Sequence, residues 1–293
     1  MPELPEVETI KRGLEKLIIG LKIKSVISDN LKSFPNSEND IKTFLLNSKI
    51  EKIRRRAKVL MIDLSTNYTL VIHLKMTGQL VFVSETRFGG GHPTDSLINN
   101  LPDKSTRVIF EFKDGSKLYF NDQRKFGWIK LIPTVEVPNI DFMKKAGPEP
   151  LESNFTSKQF TERFKRRSNT TIKAALLDQS VIAGVGNIYA DESLWGAKIH
   201  PATKVGDLSS SKLKILYSEV RYVMNLSIKK GGSTNRNYVN AEGKKGSYMD
   251  FARVFRREGQ LCPRCGTEII KIRVASRGTH ICPKCQKLSK PKI

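Results

Sequence analysis

The stretch CPRCGTEIIKIRVASRGTHICPKC, residues 262–285, holds all four cysteines of this 293-residue chain. It contains two Cys-x2-Cys knuckles, Cys262/Cys265 and Cys282/Cys285, separated by sixteen residues. That spacing is a tetrahedral zinc signature. Four thiolates fill the coordination shell and leave no place for water, so one structural Zn2+ is expected. A redox dithiol pair is the alternative. Disulfides would not need such clustering, and a reducing cytosol would open them. Arg277 lies between the knuckles, where a hairpin tip would project it. Residues 253–293 carry eleven Lys/Arg against two Glu, a charge that suits phosphates.

The excess extends to the whole chain. Lys and Arg number 51 against 29 acids, a formal charge of +22. This points to a polyanionic partner, nucleic acid or an anionic membrane surface. No apolar run is long enough to span a bilayer; Leu17–Leu21 is far too short. Glu3, Glu6 and Glu8 replace the basic start of a signal peptide. A cytosolic protein acting on nucleic acid is therefore expected.

The length favours two domains. Val7, Ile10, Leu14 and Leu17 predict a helix over Glu6–Lys16. Strand patterns follow from Ile50 to Leu131. Val59–Leu64 and Leu70–Leu74 flank a Ser-Thr-Asn turn, and Val108–Phe112 and Leu118–Phe120 flank Asp114-Gly115. Arg87–Lys104, with three consecutive glycines, reads as a surface loop. Pro133–Pro150, with four prolines, reads as a linker. Helical periodicity then takes over, in segments around Phe160/Phe164, Ile172–Asp178, Ile188–Trp195 and Leu213–Ile228. The expected organisation is a β-rich domain over 2–132, a linker over 133–150, a helical domain over 151–232, a loop over 233–252 and a zinc module over 253–293.

Three blocks, in order, carry a resemblance that covers nearly the whole chain. They are Pro2-Glu3-Leu4-Pro5-Glu6-Val7-Glu8-Thr9, the run from Asp178-Gln179 to Asn187-Ile188-Tyr189, and Cys282-Pro283-Lys284-Cys285-Gln286. Together they resemble the bacterial formamidopyrimidine-DNA glycosylases. The resemblance implies an α+β multidomain fold: an N-terminal β-sandwich with a leading helix, a C-terminal helix–two-turn–helix bundle and a four-cysteine zinc-finger hairpin. It implies a bifunctional enzyme that excises oxidised purines from damaged double-stranded DNA, then cuts the strand by β,δ-elimination. A monomer is expected.

The implied site residues can be weighed chemically. Once Met1 is removed, Pro2 is a secondary amine, with a sizeable neutral fraction at cellular pH. Attack on the sugar C1′ gives an iminium with no N–H proton to lose. Glu3 would shuttle protons beside the sugar. Glu6 has two readings, a supporting residue or charge compensation at the helix start. Lys58 is implied to contact the phosphate beside the lesion, and Arg277 to grip another and assist the second elimination. Met76, Arg124 and Phe126 match the side chains that fill the hole left by an everted nucleotide. On their own, Met76 and Phe126 would read as core. Asn187, at a glycine turn entering a helix, suits a phosphate. Tyr238 belongs to the loop that closes over the base. Where relatives carry basic residues, this chain has Ser168-Asn169-Thr170-Thr171, with Lys173 remaining at the helix. Where some have a histidine, it has Ser105, and His92 is a candidate substitute. An endonuclease-VIII-like enzyme for oxidised pyrimidines, an architectural DNA binder and an RNA binder are the competing readings.

Overall fold

The computed structural model describes residues 1–233 and 248–288, so Tyr238 and most of the expected closing loop lie outside the described residues. The chain forms two compact units. One comprises Met1–Lys144 with Ser227–Met249, the other Lys145–Leu226 with Asp250–Ile293.

In the first unit, helix α1 (Leu4–Ile18) starts two residues before the expected Glu6. The cause is local. Glu3 caps the helix, and its N–H donates to Glu6 Oε2 at 2.8 Å. Pro5 occupies the first turn, where no amide donor is required. Val7, Ile10, Leu14 and Ile18 form one buried stripe. After β1 (Ile23–Ser28) and the short α2 (Glu38–Asp40) come eight further strands. They are β2 (Ile50–Arg56), β3 (Val59–Leu64), β4 (Tyr68–His73), β5 (Gly78–Val83), β6 (Arg87–Gly91), β7 (Thr106–Phe112), β8 (Lys117–Asp122) and β9 (Trp128–Pro133). They make two antiparallel sheets, ordered β1-β7-β8-β5-β6 and β2-β3-β4-β9. Ile53, Ile62 and Ile72 from one sheet and Leu80, Phe110 and Phe120 from the other share a core with the α1 stripe. The α1–β6 approach is close because residue 13 is glycine. A Cβ there would lie within 2.0 Å of the Phe88 ring.

Two expectations change. Arg87–Lys104 is not simply a surface loop. Its first five residues form edge strand β6, and Leu97 and Leu101 cover Val81 and Tyr119 on the outer face of the sheet. The Arg87 guanidinium is spent inside it, donating to the carbonyls of Leu97, Ser96 and Asn99. The proline-rich segment after β9 is more than a connector. A 3-10 turn over Thr134–Asn139 and helix α3 (Asp141–Lys145) bring Val137, Ile140, Phe142 and Met143 onto Val59, Met61 and Val71. Proline punctuation marked a break in periodicity, but the apolar residues between the prolines had a sheet face to cover.

His73 closes β4 against this second cluster, its ring 5.8 Å from both Trp128 and Phe142. Burial, reinforced by Lys75 and Lys58, pushes its imidazole down to about 3. The neutral ring uses Nδ1 to accept the Lys75 N–H at 3.0 Å.

The second unit is built from α4 (Ser157–Lys165), α5 (Ile172–Leu177), α6 (Asn187–Gly196), α7 (Ser210–Lys229) as far as Leu226, and the hairpin β10 (Ile270–Val274)–β11 (Arg277–Ile281). The α7 stripe Leu213, Leu216, Val220, Val223 and Met224 is buried, as its spacing predicts. Helix α6 carries two adjacent acids, Asp191 and Glu192, both with no exposed surface. Asp191 accepts from Lys173 Nζ at 2.6 Å and from the His280 N–H at 2.9 Å. Glu192 accepts from the N–H groups of Arg253, Val254 and Phe255, each at 2.9 Å. The hairpin and the chain leading to it are thus tied to one helix.

These buried groups make stability testable at two points. Asp191→Asn should cost about 3–5 kcal/mol, because Lys173 is left charged and under-paired out of water. A Lys173→Met/Asp191→Leu double variant should cost less, and denaturant midpoints of the two decide it. His73 binds a proton more readily when unfolded, at the usual 6.5, than when folded. Its stabilising contribution is therefore complete above pH 6.5 and lost as pH falls toward 3. The stability gap between the parent and His73→Asn should narrow between pH 7 and pH 4, read by chemical denaturation at each pH.

Candidate active site and nucleic-acid interface

Within the first unit, Pro2 is buried and Glu3 is 3 % exposed, while Met1 is exposed. The opening residues are packed because two side chains hold them. Glu6 accepts the Glu3 N–H with one oxygen and the Ser233 N–H, at 2.9 Å, with the other. The helix-start reading of Glu6 is the one this geometry describes. It caps the helix and it binds the chain leaving α7. Two residues on, Glu8 pairs with Arg55 of β2 at 2.9 Å. Burial works to raise the Glu8 carboxyl, but hydrogen bonds from Arg55 and Arg12 outweigh it and hold the group below its ordinary value. Arg55 also donates to the Ala57 carbonyl at 3.1 Å. Ala57 and Lys58 form the tip of the β2–β3 hairpin, with Ala57 in the left-handed region and Lys58 only 6 % exposed. Arg55 thus brings the start of α1 and the Lys58 turn to one end of the sandwich.

The same unit brings Met76, Arg124 and Phe126 together. Strands β5 and β8 are neighbours, with Gly78 opposite Asp122. Met76 lies in the turn entering β5, and Arg124 and Phe126 lie in the turn leaving β8. Arg124 stacks over the Phe126 ring at 4.8 Å, and Phe126 is 53 % exposed. Met76 is half-buried. An aromatic left half in water beside a cation is the arrangement a core reading does not give. His92 joins the same edge through its backbone, its N–H donating to Gly78 O at 3.0 Å and its carbonyl accepting from Gln79. Ser105 is buried, its hydroxyl engaged with Asp103 and Ser96, so it fills structure at its position.

In the second unit, Arg277 is exposed as the first residue of β11. It follows the turn Ala275-Ser276, both of positive φ, which suits a two-residue hairpin. Asn187, in the first turn of α6, donates through Nδ2 to Gly278 O at 3.0 Å, beside Arg277. Lys173 is corrected. Expected to contact DNA, it has no exposed surface, and its ammonium is consumed by Asp191 and by Thr279 Oγ1 at 2.7 Å. Its helix turns it inward to meet the acid on α6. Sequence reasoning missed Asp122, Asp191 and Glu192. For the last two, the visible signal was an acidic pair inside the apolar run Ile188–Trp195.

The four cysteine Sγ atoms lie within 4.8 Å of one another, the one such ligand cluster among the described residues. Their closest separations are 3.4 Å, for Cys265–Cys282 and Cys265–Cys285, and 4.0 Å, for Cys262–Cys285. Tetrahedral thiolates at the zinc–sulfur bond length stand about 3.7 Å apart, so the site fits zinc. No helix among the described residues is long and apolar enough to cross a membrane.

Comparison with known proteins agrees along the chain. Residues 1–129 match the formamidopyrimidine-DNA glycosylase N-terminal domain, 146–239 the H2TH domain of the same enzymes, and 259–288 the zinc finger found in these glycosylases and in isoleucyl-tRNA synthetase. A formamidopyrimidine-DNA glycosylase of Streptococcus pyogenes serotype M3 is 44 % identical over 292 residues, covering 98 % of this chain and 99 % of its own. The Lactococcus lactis enzyme bound to abasic-site DNA superposes with a TM-score of 0.86 at 37 % identity, over 97 % of this chain and 99 % of its own. The same enzyme on N7-benzyl-Fapy-dG DNA gives 0.85 at 37 % identity, over 98 % and 100 %. With a β-sandwich, a helical unit and a zinc-binding cysteine hairpin all in place, this chain belongs to the formamidopyrimidine-DNA glycosylase family.

Proposed function

We propose that this chain excises oxidised purines, 8-oxoguanine and formamidopyrimidines, from duplex DNA and cuts the strand at the resulting abasic site, acting as a monomer in the bacterial cytoplasm on the nucleoid. The observation that carries the reading is the packing of Pro2 and Glu3 at the head of α1, held through Glu6. A frayed, solvated start would give an amine no fixed geometry for attack.

With Met1 removed, the neutral Pro2 nitrogen attacks C1′ as the C1′–N9 bond breaks and the base leaves with a proton. Glu3 exchanges protons with the opening sugar ring. The iminium acts as an electron sink. Loss of a C2′ proton expels the 3′ oxygen, and loss of a C4′ proton then expels the 5′ oxygen. Lys58 holds a phosphate and assists proton transfer, and Arg277 holds another during the second elimination. Met76, Arg124 and Phe126 fill the gap left by the everted nucleotide, Arg124 facing the orphaned cytosine. Residues 2–132 supply the chemistry, and 151–232 with 253–293 supply the grip on the backbone, including Asn187. One zinc ion on Cys262, Cys265, Cys282 and Cys285 fixes the hairpin that carries Arg277. It supplies no reacting group.

Borohydride should trap a covalent complex between Met1-processed protein and abasic DNA. Pro2→Gly should reduce trapping by about tenfold or more while duplex affinity stays within about twofold. Absence of a trapped species from processed protein refutes the amine chemistry, and faster release of thymine glycol than of 8-oxoguanine opposite cytosine refutes the substrate class. Zinc removal by chelation, or Cys282→Ser, should lower duplex affinity about tenfold or more at fixed salt. Full affinity in that variant would reduce the zinc to a local staple.

A further inference from the structure

Asp122 has no exposed surface, yet among the described residues the hydrogen-bond donors to its carboxylate are all neutral. Oδ1 accepts from the Thr77 hydroxyl and from the Arg124 N–H at 3.2 Å. Oδ2 accepts from the N–H groups of Phe126 at 2.8 Å and Gly127 at 2.6 Å. Thr77 stands beside Met76, and its own oxygen also accepts the Arg124 N–H at 3.0 Å. One carboxylate therefore binds both turns at this end of the β5–β8 pair. The turns cannot easily settle elsewhere. A Cβ on Gly78 would come within 2.3 Å of the Leu74 carbonyl, and one on Gly127 within 2.7 Å of the Phe120 ring. Lys75 and Lys125, one in each turn, both have left-handed backbones.

We propose that Asp122 is the positioning residue for base eversion, fixing Met76, Arg124 and Phe126 as a single rigid unit through the backbone N–H groups and hydroxyl it binds. The inference rests on the reading of those three side chains as the gap-filling set. An exposed Phe and an exposed Arg on an unsupported turn would each lose rotamer and backbone freedom on entering the duplex. A buried charged acceptor takes that ordering on at folding, because hydrogen bonds to an ionised acceptor are about twice as strong as neutral ones.

Asp122→Asn sharpens the test. The amide oxygen can still accept from Thr77 and Arg124, but the amide NH2 then faces the Phe126 and Gly127 N–H groups, donor against donor. That limb is released while the other is kept. Excision of 8-oxoguanine from duplex DNA should fall about a hundredfold, the scale of a misplaced catalytic geometry. The fluorescence rise of 2-aminopurine placed beside the lesion, which reports unstacking, should fall with it. Cleavage of a preformed abasic site, which needs no base evicted, should stay within about twofold. Thr77→Val, which removes one donor, should give a smaller loss of excision of the same pattern, and it carries the test if Asp122→Asn does not fold. Full excision and full unstacking in a folded variant overturn the proposal, as does an equal loss of excision and abasic cleavage, which would mark general damage. A Met76→Ala/Arg124→Ala/Phe126→Ala chain that unstacks the duplex normally would instead overturn the gap-filling reading itself, whatever Asp122 does.

Discussion

Carboxylates taken out of water, each met by at least one donor from chain distant in sequence, hold this protein's working parts in place. An ionised acid cannot be buried unless its oxygens are satisfied, and leaving one unmet costs several kcal/mol. Glu6 meets that demand with the N–H groups of Glu3 and Ser233, and Glu192 with those of Arg253, Val254 and Phe255. Asp122 does so with those of Arg124, Phe126 and Gly127. Asp191 takes an ammonium and one amide. Glu6, Glu192 and Asp122 each convert an irregular segment, which has no ladder to hold it, into a fixed one, and Asp191 ties α5 to β11. These segments carry the start of the chain, the exposed Arg124 and Phe126, and the approach to the cysteine hairpin.

This use of acids also bears on the charge of the molecule. A chain of formal charge +22 keeps few acids to spare, and several of those it has face inward toward backbone amides. The cations are divided differently. Lys173 and Arg87 are consumed internally, whereas Arg124 and Arg277 stand exposed on turns whose backbones are fixed. A basic side chain on a rigid turn loses less freedom when it meets a phosphate than one on a mobile loop. Net charge predicts that a polyanion binds. The allocation of individual cations decides where.

Rigidity is supplied at short range by residues that permit close approach. Gly13 admits the Phe88 ring against α1, and Gly78 and Gly127 admit the turns around Asp122. The aromatic cage around neutral His73 does the same for the Leu74–Gly78 turn, since an unprotonated Nδ1 is needed to accept the Lys75 amide. The β-sandwich positions these groups because its two sheets and α1 share one apolar core, so a displaced turn would have to strain a packed interior.

What the sequence determined by itself was whatever has a short period or a fixed spacing. The Cys-x2-Cys knuckles, the α1 and α7 stripes, the strand alternation and the turns at Ser65-Thr66-Asn67 and Asp114-Gly115 are local, and the structure keeps them. Motif resemblance added Pro2, Glu3, Lys58 and the three side chains on the β5 and β8 turns. The roles of Lys173, Asp122, Asp191 and Glu192, and the bond from Ser233 to Glu6, belonged to the tertiary structure alone. A lysine beside a helix start looks the same whether it meets solvent or a buried acid eighteen residues away. An aspartate ending a strand does not announce that its partners are three amides and a hydroxyl from two turns. Those outcomes depend on which groups folding brings into the same dry space, and spacing along the chain does not encode that.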